Sequence, residues 1–343
     1  MGQTLAVKYR PQTFEDVCGQ TITVKILERI LESGSLKHTY LFAGDSGCGK
    51  TTCARIFANR VNGGVGSPIE IDAASNNGVD QVRAIVESSY QRDLAGEYKI
   101  FIIDECHAIT PEGWKAFLKC IEEPPEYTIF IFCTTEPQKL PQPILNRLQR
   151  YNFTKIDSAT IKARLELICQ KEGFTNYEKT CDLISKTTHG CMRDAVMKLD
   201  QCADFSHDLN VDVAKQVLSG VSFESMFKLT WALQNKQEDE MLKQIDEMHD
   251  SGEDLKGFID SYLEFVLDLL KFSLFRNIEL TDIPAYLASE DNAVVQYTVD
   301  SQQTDGAWFR RLVDALLEVK QAIKYDSSYK STIEAYLLRF CRG

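Results

Sequence analysis

No apolar run in the 343-residue chain approaches the ~20 residues that a membrane-spanning helix needs. The first residues, MGQTLAVKYRP, hold no apolar core of the length a secretory signal requires. MGQTLA superficially suggests a myristoylation signal, but its sixth residue is Ala where that signal has Ser or Thr. These absences predict a cytoplasmic chain with no membrane partner. Paired cysteine spacing is also missing: there are 11 cysteines, an odd count, and no two form a CxxC. Metal knuckles and disulfide frameworks usually show such pairs, so scattered reduced thiols are expected. Positive charge is scarce, with 38 Lys and Arg against 50 Asp and Glu and a formal net charge of −12. That argues against a protein that coats DNA generally. A local basic surface stays open, because affinity comes from the charges near phosphate rather than from their sum. Internal repeats and low-complexity linkers are absent as well.

What is present fits two or three soluble domains, since the chain is too long for one compact core. Residues 1–157 alternate short apolar runs with helical patterns. TYLFA (39–43), IEID (69–72), YKIFIID (98–104), TIFIFCT (128–134) and YNF (151–153) read as strands. TCARIFANRV, VDQVRAIVESSY and EGWKAFLKCIEE lie between them with apolar residues at helical spacing. Near-continuous apolar strands separated by helices imply an α/β domain with a parallel sheet covered on both faces. From Ser158 the strand signal stops. ATIKARLELICQKEG, NYEKTCDLISKTTHG and GCMRDAVMKLDQCADF predict a small three-helix domain over 158–220. Residues 221–343 stay helical, with DLKGFIDSYLEFVLDLLKFSLF and GAWFRRLVDALLEVKQAIKY as long segments. That block carries no chemical motif and is read as a packing or oligomerisation bundle.

GDSGCGKT (Gly44–Thr51) matches G-x-x-x-x-G-K-[ST] between a predicted strand and a predicted helix. In such a loop Gly44, Asp45, Ser46, Gly47, Cys48 and Gly49 turn backbone N–H groups onto phosphate. Lys50 adds a point charge, Thr51 a hydroxyl for Mg²⁺, and the helix opening at Thr51 and Thr52 its dipole. KIFIIDECH ends a strand in two carboxylates: Asp104 is placed to hold the metal, Glu105 to accept a proton from attacking water. His107 is read as packing or a polar contact, not a ligand. TTEPQKLP ends the next predicted strand, and Thr135 reaches the phosphates only if that strand lies between the other two; a capping role is the alternative. Arg193, in GCMRDA, either reaches the phosphates or is a solvated helix arginine.

Taken together these motifs resemble the AAA+ clamp-loader ATPases, in particular their gamma/tau-type subunits in bacterial DNA polymerase III. The resemblance runs through VKYRPQTFEDVCGQ, HTYLFAGDSGCGKTT, IEIDAASNNGVDQVR, YKIFIIDECH, FLKCIEEPP, TTEPQKLPQPILNR and HGCMRDAV, and more loosely through the helical C-terminal third. It implies a P-loop AAA+ domain, a helical lid and a helical collar. It implies ATP and Mg²⁺ as cofactors, and as partners a sliding clamp, primer–template DNA and other loader subunits in a pentamer. Tyr9, Arg10, Pro11, Val17 and Cys18 then wrap the adenine, Thr135 senses the γ-phosphate and Arg193 is the lid sensor. Arg147 becomes a trans-acting finger aimed at ATP in a neighbouring subunit, while Arg150 matches no catalytic position. Asn76, Asn77, Arg83, Thr110 and, more weakly, Lys119 are candidate contacts to the DNA backbone; each equally suits a capping or solvated position.

Three departures accompany the resemblance. The triplet around the finger is Asn146-Arg147-Leu148 where the family usually has Ser-Arg-Cys. The stretch NRVNGGVGSP stands where a four-cysteine zinc module is usual, so no zinc is expected. The chain is expected to stop at the collar, without a tau extension. Two other readings stay open: a non-hydrolysing stator of the same fold, and another AAA+ remodeller such as a branch-migration motor.

Overall fold

The computed structural model describes residues 3–92, 96–210, 213–214, 217, 223–275, 306–324, 326 and 328–342. The chain divides into two compact units, Met1–Ile168 with Thr187–Asp200, and Cys169–Lys186 with Gln201–Gly343. The boundary expected at 220/221 lies outside the described residues.

The first unit is built on five parallel strands: β1 (Thr39–Ala43), β2 (Ile69–Asp72), β3 (Lys99–Asp104), β4 (Thr128–Thr134) and β5 (Gln149–Asn152), in the order β2-β3-β4-β1-β5. The order follows from hydrophobicity. β1 and β4 are buried along their whole length and β3 at all but its last residue, as unbroken apolar runs demand. The polar-interrupted strands β2 and β5 take the edges and stay largely exposed. The last strand differs from the expected YNF. Pairing of Tyr40 with Gln149 and of Ala43 with Asn152 starts it earlier, on polar residues whose backbone the sheet recruits.

Alternation along the central strands separates two faces. Tyr40, Phe42, Ile100, Ile102, Ile129 and Ile131 form one core with Leu27 of α2 (Thr21–Ser33) and Phe57 of α3 (Lys50–Val61). Leu41, Phe101, Ile103, Phe130 and Phe132 point the other way, onto Val82 of α4 (Val79–Ser89) and Trp114 and Phe117 of α5 (Pro111–Glu122). There the Trp114 and Phe132 rings lie 5.5 Å apart and Phe117 and Phe130 5.8 Å. Thr110 caps α5, accepting from the Gly113 N–H at 3.1 Å, with Pro111 at the first helical position. The sequence reading assigned no element to residues 21–33: TITV has the β-branched density of a strand, and only Leu27 and its neighbours, packed in the first core, make it a helix.

Two helices are only four residues long, α1 (Leu5–Lys8) ahead of α2 and α6 (Gln142–Leu145) between β4 and β5. The helices α7 (Ser158–Glu172), α8 (Glu178–Thr187) and α9 (Met192–Phe205) follow. The second unit continues with α10 (Phe223–Gln234), α11 (Glu238–Asp250), α12 (Leu255–Phe275), α13 (Gly306–Ile323) and α14 (Tyr329–Arg342). These five share a core around Phe258, Tyr262, Phe265, Phe309, Leu316 and Leu337. The buried Tyr262 hydroxyl meets Thr230 Oγ1 at 2.9 Å, which satisfies both polar groups. No described helix is long and apolar enough to cross a membrane. None of the 11 cysteines, all of them among the described residues, is in a disulfide, and nine are buried.

Candidate functional site

The segments that follow the carboxyl ends of β1 and β3 line a cleft of about 440 Å³ in the first unit, and Thr135, after β4, is not among its lining residues. The β1–α3 loop forms its floor, and close packing dictates two of its three glycines. A Cβ on Gly44 would stand 2.2 Å from the Phe153 carbonyl oxygen, and one on Gly47, at φ +65°, 2.2 Å from Cys191 Sγ. Gly49, at φ +103°, precedes the first residue of α3, whose N-terminal N–H groups open into the loop. Lys50 is only 6% exposed, and its Nζ donates to the Gly44 and Asp45 carbonyls at 2.8 Å each. One of its three N–H groups remains for a further acceptor. Cys48 Sγ lies 2.9 Å from the Asp45 carbonyl oxygen, and burial pushes its thiol up, partly countered by Lys50.

Across the loop, Thr51 Oγ1 donates to Asp104 Oδ2 at 2.7 Å. Hydroxyl and carboxylate are hard oxygen donors on one spot, a set that suits Mg²⁺. Among the described residues there is no cluster of three or more His, Cys, Asp or Glu fit for a metal. Glu105 follows at φ +46°, and its Oε2 accepts from Thr135 Oγ1 at 3.2 Å. The strand order makes that contact possible, because β4 runs between β1 and β3.

Of the residues singled out in the sequence, Tyr9, Arg10, Pro11, Val17 and Cys18 line the cleft, as do residues 46–52, Asp104, Glu105 and Arg193. Burial first, and then the guanidiniums of Arg55 and Arg193, hold Arg10 below its ordinary value. A cleft with Lys50, Arg10 and Arg193 on its walls is electrostatically ready for an anion. Gln20 locks the N-terminal segment down: its Nε2 donates to the Cys48 carbonyl at 3.2 Å and the Thr154 carbonyl at 2.7 Å.

Other candidates lie apart from the cleft lining. Arg147 donates through Nη1 to the Pro143 carbonyl at 2.7 Å and pairs through Nη2 with Glu122 Oε1 at 2.7 Å. Arg150 bonds Asn152 Oδ1 at 2.8 Å. Asn76, Asn77, Arg83 and Lys119 are exposed on or before α4 and α5; Arg83 pairs with Asp80 at 3.3 Å, and Asn76 Nδ2 donates to the Asp72 carbonyl at 3.0 Å. Thr110 Oγ1 is occupied as a helix cap and lies 3.2 Å from the Asn77 carbonyl.

The sequence reading missed part of the lining. Leu5, Ala6, Val7, Ile156, Met192, Val196 and Met197 give the cleft an apolar wall, and Arg164 Nη2 donates to the Tyr9 carbonyl at 2.9 Å. Helical periodicity marks such residues as inward-facing but not as facing a cavity. Only the closeness of Met192 to Arg193 offered a signal.

A family model described as "DNA polymerase III, delta subunit" matches residues 67–157. The DNA polymerase III subunit tau of Bacillus subtilis is 33% identical over 99% of this chain and 63% of its own length. The corresponding subunit of Escherichia coli is 36% identical over 58% of this chain and 34% of its own length. The gamma/tau subunit of Mycobacterium tuberculosis is 33% identical over 77% of this chain and 50% of its own length. The chain therefore spans only about a third to two thirds of the length of these relatives. Among solved structures, the Thermotoga maritima RuvB Holliday junction branch migration motor superposes with a TM-score of 0.52 at 19% identity, covering 66% of this chain and 79% of that one. At that identity the likeness speaks for the fold alone. Sheet order, P-loop and acidic strand end agree with these relatives: the chain belongs to the gamma/tau-like family of AAA+ clamp-loader proteins.

Proposed function

We propose that the chain is the ATP-hydrolysing motor subunit of a sliding-clamp loader. The contact of Glu105 with Thr135, beside the Thr51–Asp104 pair, carries this reading. A stator that only binds has no use for a proton-accepting carboxylate held next to the phosphate loop. Thr51 and Asp104 would hold Mg²⁺, which would offset phosphate charge, and ATP in the cleft would supply the phosphoanhydride whose cleavage drives the cycle.

The side chains divide the work. The 44–49 loop and Lys50 hold phosphate oxygens, and Arg193 reaches them from α9. The Tyr9–Cys18 segment and the apolar wall take the base. Glu105 accepts the proton of the attacking water while Thr135 orients it. Arg147 serves the site of a neighbouring subunit, where its charge stabilises the transferring phosphoryl group. Residues 1–157 form the ATPase domain, 158–220 the lid and 221–343 the collar that holds a ring of subunits together. Asn76, Asn77, Arg83 and Lys119 face the duplex backbone and hold it without reading sequence.

ATP turnover of the chain recovered with its partner subunits tests this reading, with and without sliding clamp and primer–template DNA. Stimulation of about tenfold or more only when both are present is the expected result, the size an order-of-magnitude figure for an assembled trans site. Turnover indifferent to the clamp would overturn it.

A further inference from the structure

His107 lies in the 3₁₀ turn Cys106–Ala108 that follows Glu105. Glu105 adopts φ +46°, ψ +43°, a left-handed conformation that a residue other than glycine keeps only where its surroundings over-determine it. The result is a close approach of two side chains two residues apart. Glu105 Oε2 lies 3.3 Å from His107 Nδ1, which is also 3.1 Å from Thr134 Oγ1. The second ring nitrogen, Nε2, lies 3.5 Å from Glu136 Oε1. The ring is 18% exposed and has a carboxylate at each end.

Both ends lead elsewhere. On Glu105, the His107 and Thr135 contacts fall on the same oxygen, Oε2, and Oε1 has no hydrogen-bond partner among the described residues. Glu136 donates its N–H to Thr134 Oγ1 at 3.0 Å, and its Oε1 accepts from Lys139 at 2.7 Å. It opens the turn Pro137–Lys139, which runs through α6 to Arg147.

We infer that His107 is a positioning residue: it pins one oxygen of the Glu105 carboxylate, leaves the other for water, and ties that carboxylate to the Glu136–Lys139 turn. This rests on the reading of Glu105 as the proton acceptor. A carboxylate fixed through one oxygen presents the other in a defined direction, and loss of that direction is costly when the reacting atoms must meet closely. The ring thus joins the group that works on this chain's own nucleotide to the segment that carries the arginine for the next.

The test uses the subunit assembly at saturating ATP, with binding of a fluorescent ATP analogue measured in parallel. H107A is expected to lower kcat by about tenfold to a hundredfold while KM and analogue affinity stay within about twofold. H107N keeps an amide nitrogen where Nδ1 stands; it should recover most of kcat but lose its response to E136Q, which lowers the turnover of the His107 protein. In an E105Q background H107A should add nothing. Wild-type kcat for H107A overturns the inference, as does a loss in kcat matched by equal losses in analogue affinity and melting temperature. If H107A fails to fold, H107N alone decides: wild-type sensitivity to E136Q sinks the coupling. Full turnover by E105Q would instead remove the hydrolytic reading, and this inference with it.

Discussion

Lys50 and Arg147 are both cations read as serving a phosphate, yet they are held in opposite ways. Lys50 is 6% exposed, fixed by two carbonyls of its own loop and by glycines with no room for a methyl group. Arg147 has a side chain 38% exposed, tied to one half-exposed carboxylate and one carbonyl. The difference suits the roles proposed for them, Lys50 on its own chain's nucleotide and Arg147 on a neighbour's. A group acting on its own chain's nucleotide profits from being pre-set, because rearrangement during reaction is avoided. A group acting on another chain must extend outward, and a partly exposed ion pair worth about 0–1 kcal/mol can be exchanged for a new partner.

The sharpest way to break this comparison is Arg147→Ala. In the assembly it should cut turnover by about 10³–10⁵-fold, the range for trans-acting arginines, with nucleotide affinity of the isolated chain unchanged in equilibrium binding. A matching loss of affinity in the isolated chain would put Arg147 to work in cis and erase the contrast. Gly47→Ala strikes the other side. Its Cβ would meet Cys191 Sγ at 2.2 Å from a backbone at φ +65°, so a destabilisation of about 1–3 kcal/mol is expected. Denaturant unfolding followed alongside nucleotide affinity would read it, and full stability would show a loop looser than its packing implies. The smallest effect belongs to Glu122→Gln. Stability should move by less than about 1 kcal/mol, with turnover in the assembly altered by no more than a few fold. A loss as large as that of Arg147→Ala would mean that Glu122 presents the arginine rather than parking it.

The part of the site that was legible in the sequence is the part built from neighbours in the chain. Gly44 to Thr52 carry their chemistry within one loop and one helix turn, and Asp104 and Glu105 end an unmistakable apolar run. The three central strands were legible for a related reason. Burial on both faces demands uninterrupted apolar residues, and β1, β3 and β4 have them. Signals weakened at the periphery, where the edge strand β5 starts on Gln149 and Arg150 because β1 offers a free edge, not because those residues favour strands.

Composition and local pattern by themselves determined the fold class, the phosphate loop, the acidic pair and the absence of a described span long and apolar enough for a membrane. Tertiary structure alone decided the contacts between distant segments. Placing β4 between β1 and β3 brought Thr135 to Glu105, and Glu136 to His107. Packing of α9 against the loop put Met192 and Val196 into the cleft wall, and the α5 terminus gave Arg147 its carboxylate. Parallel pairing joins segments far apart in the chain, so no local window of residues contains the information that selects these partners.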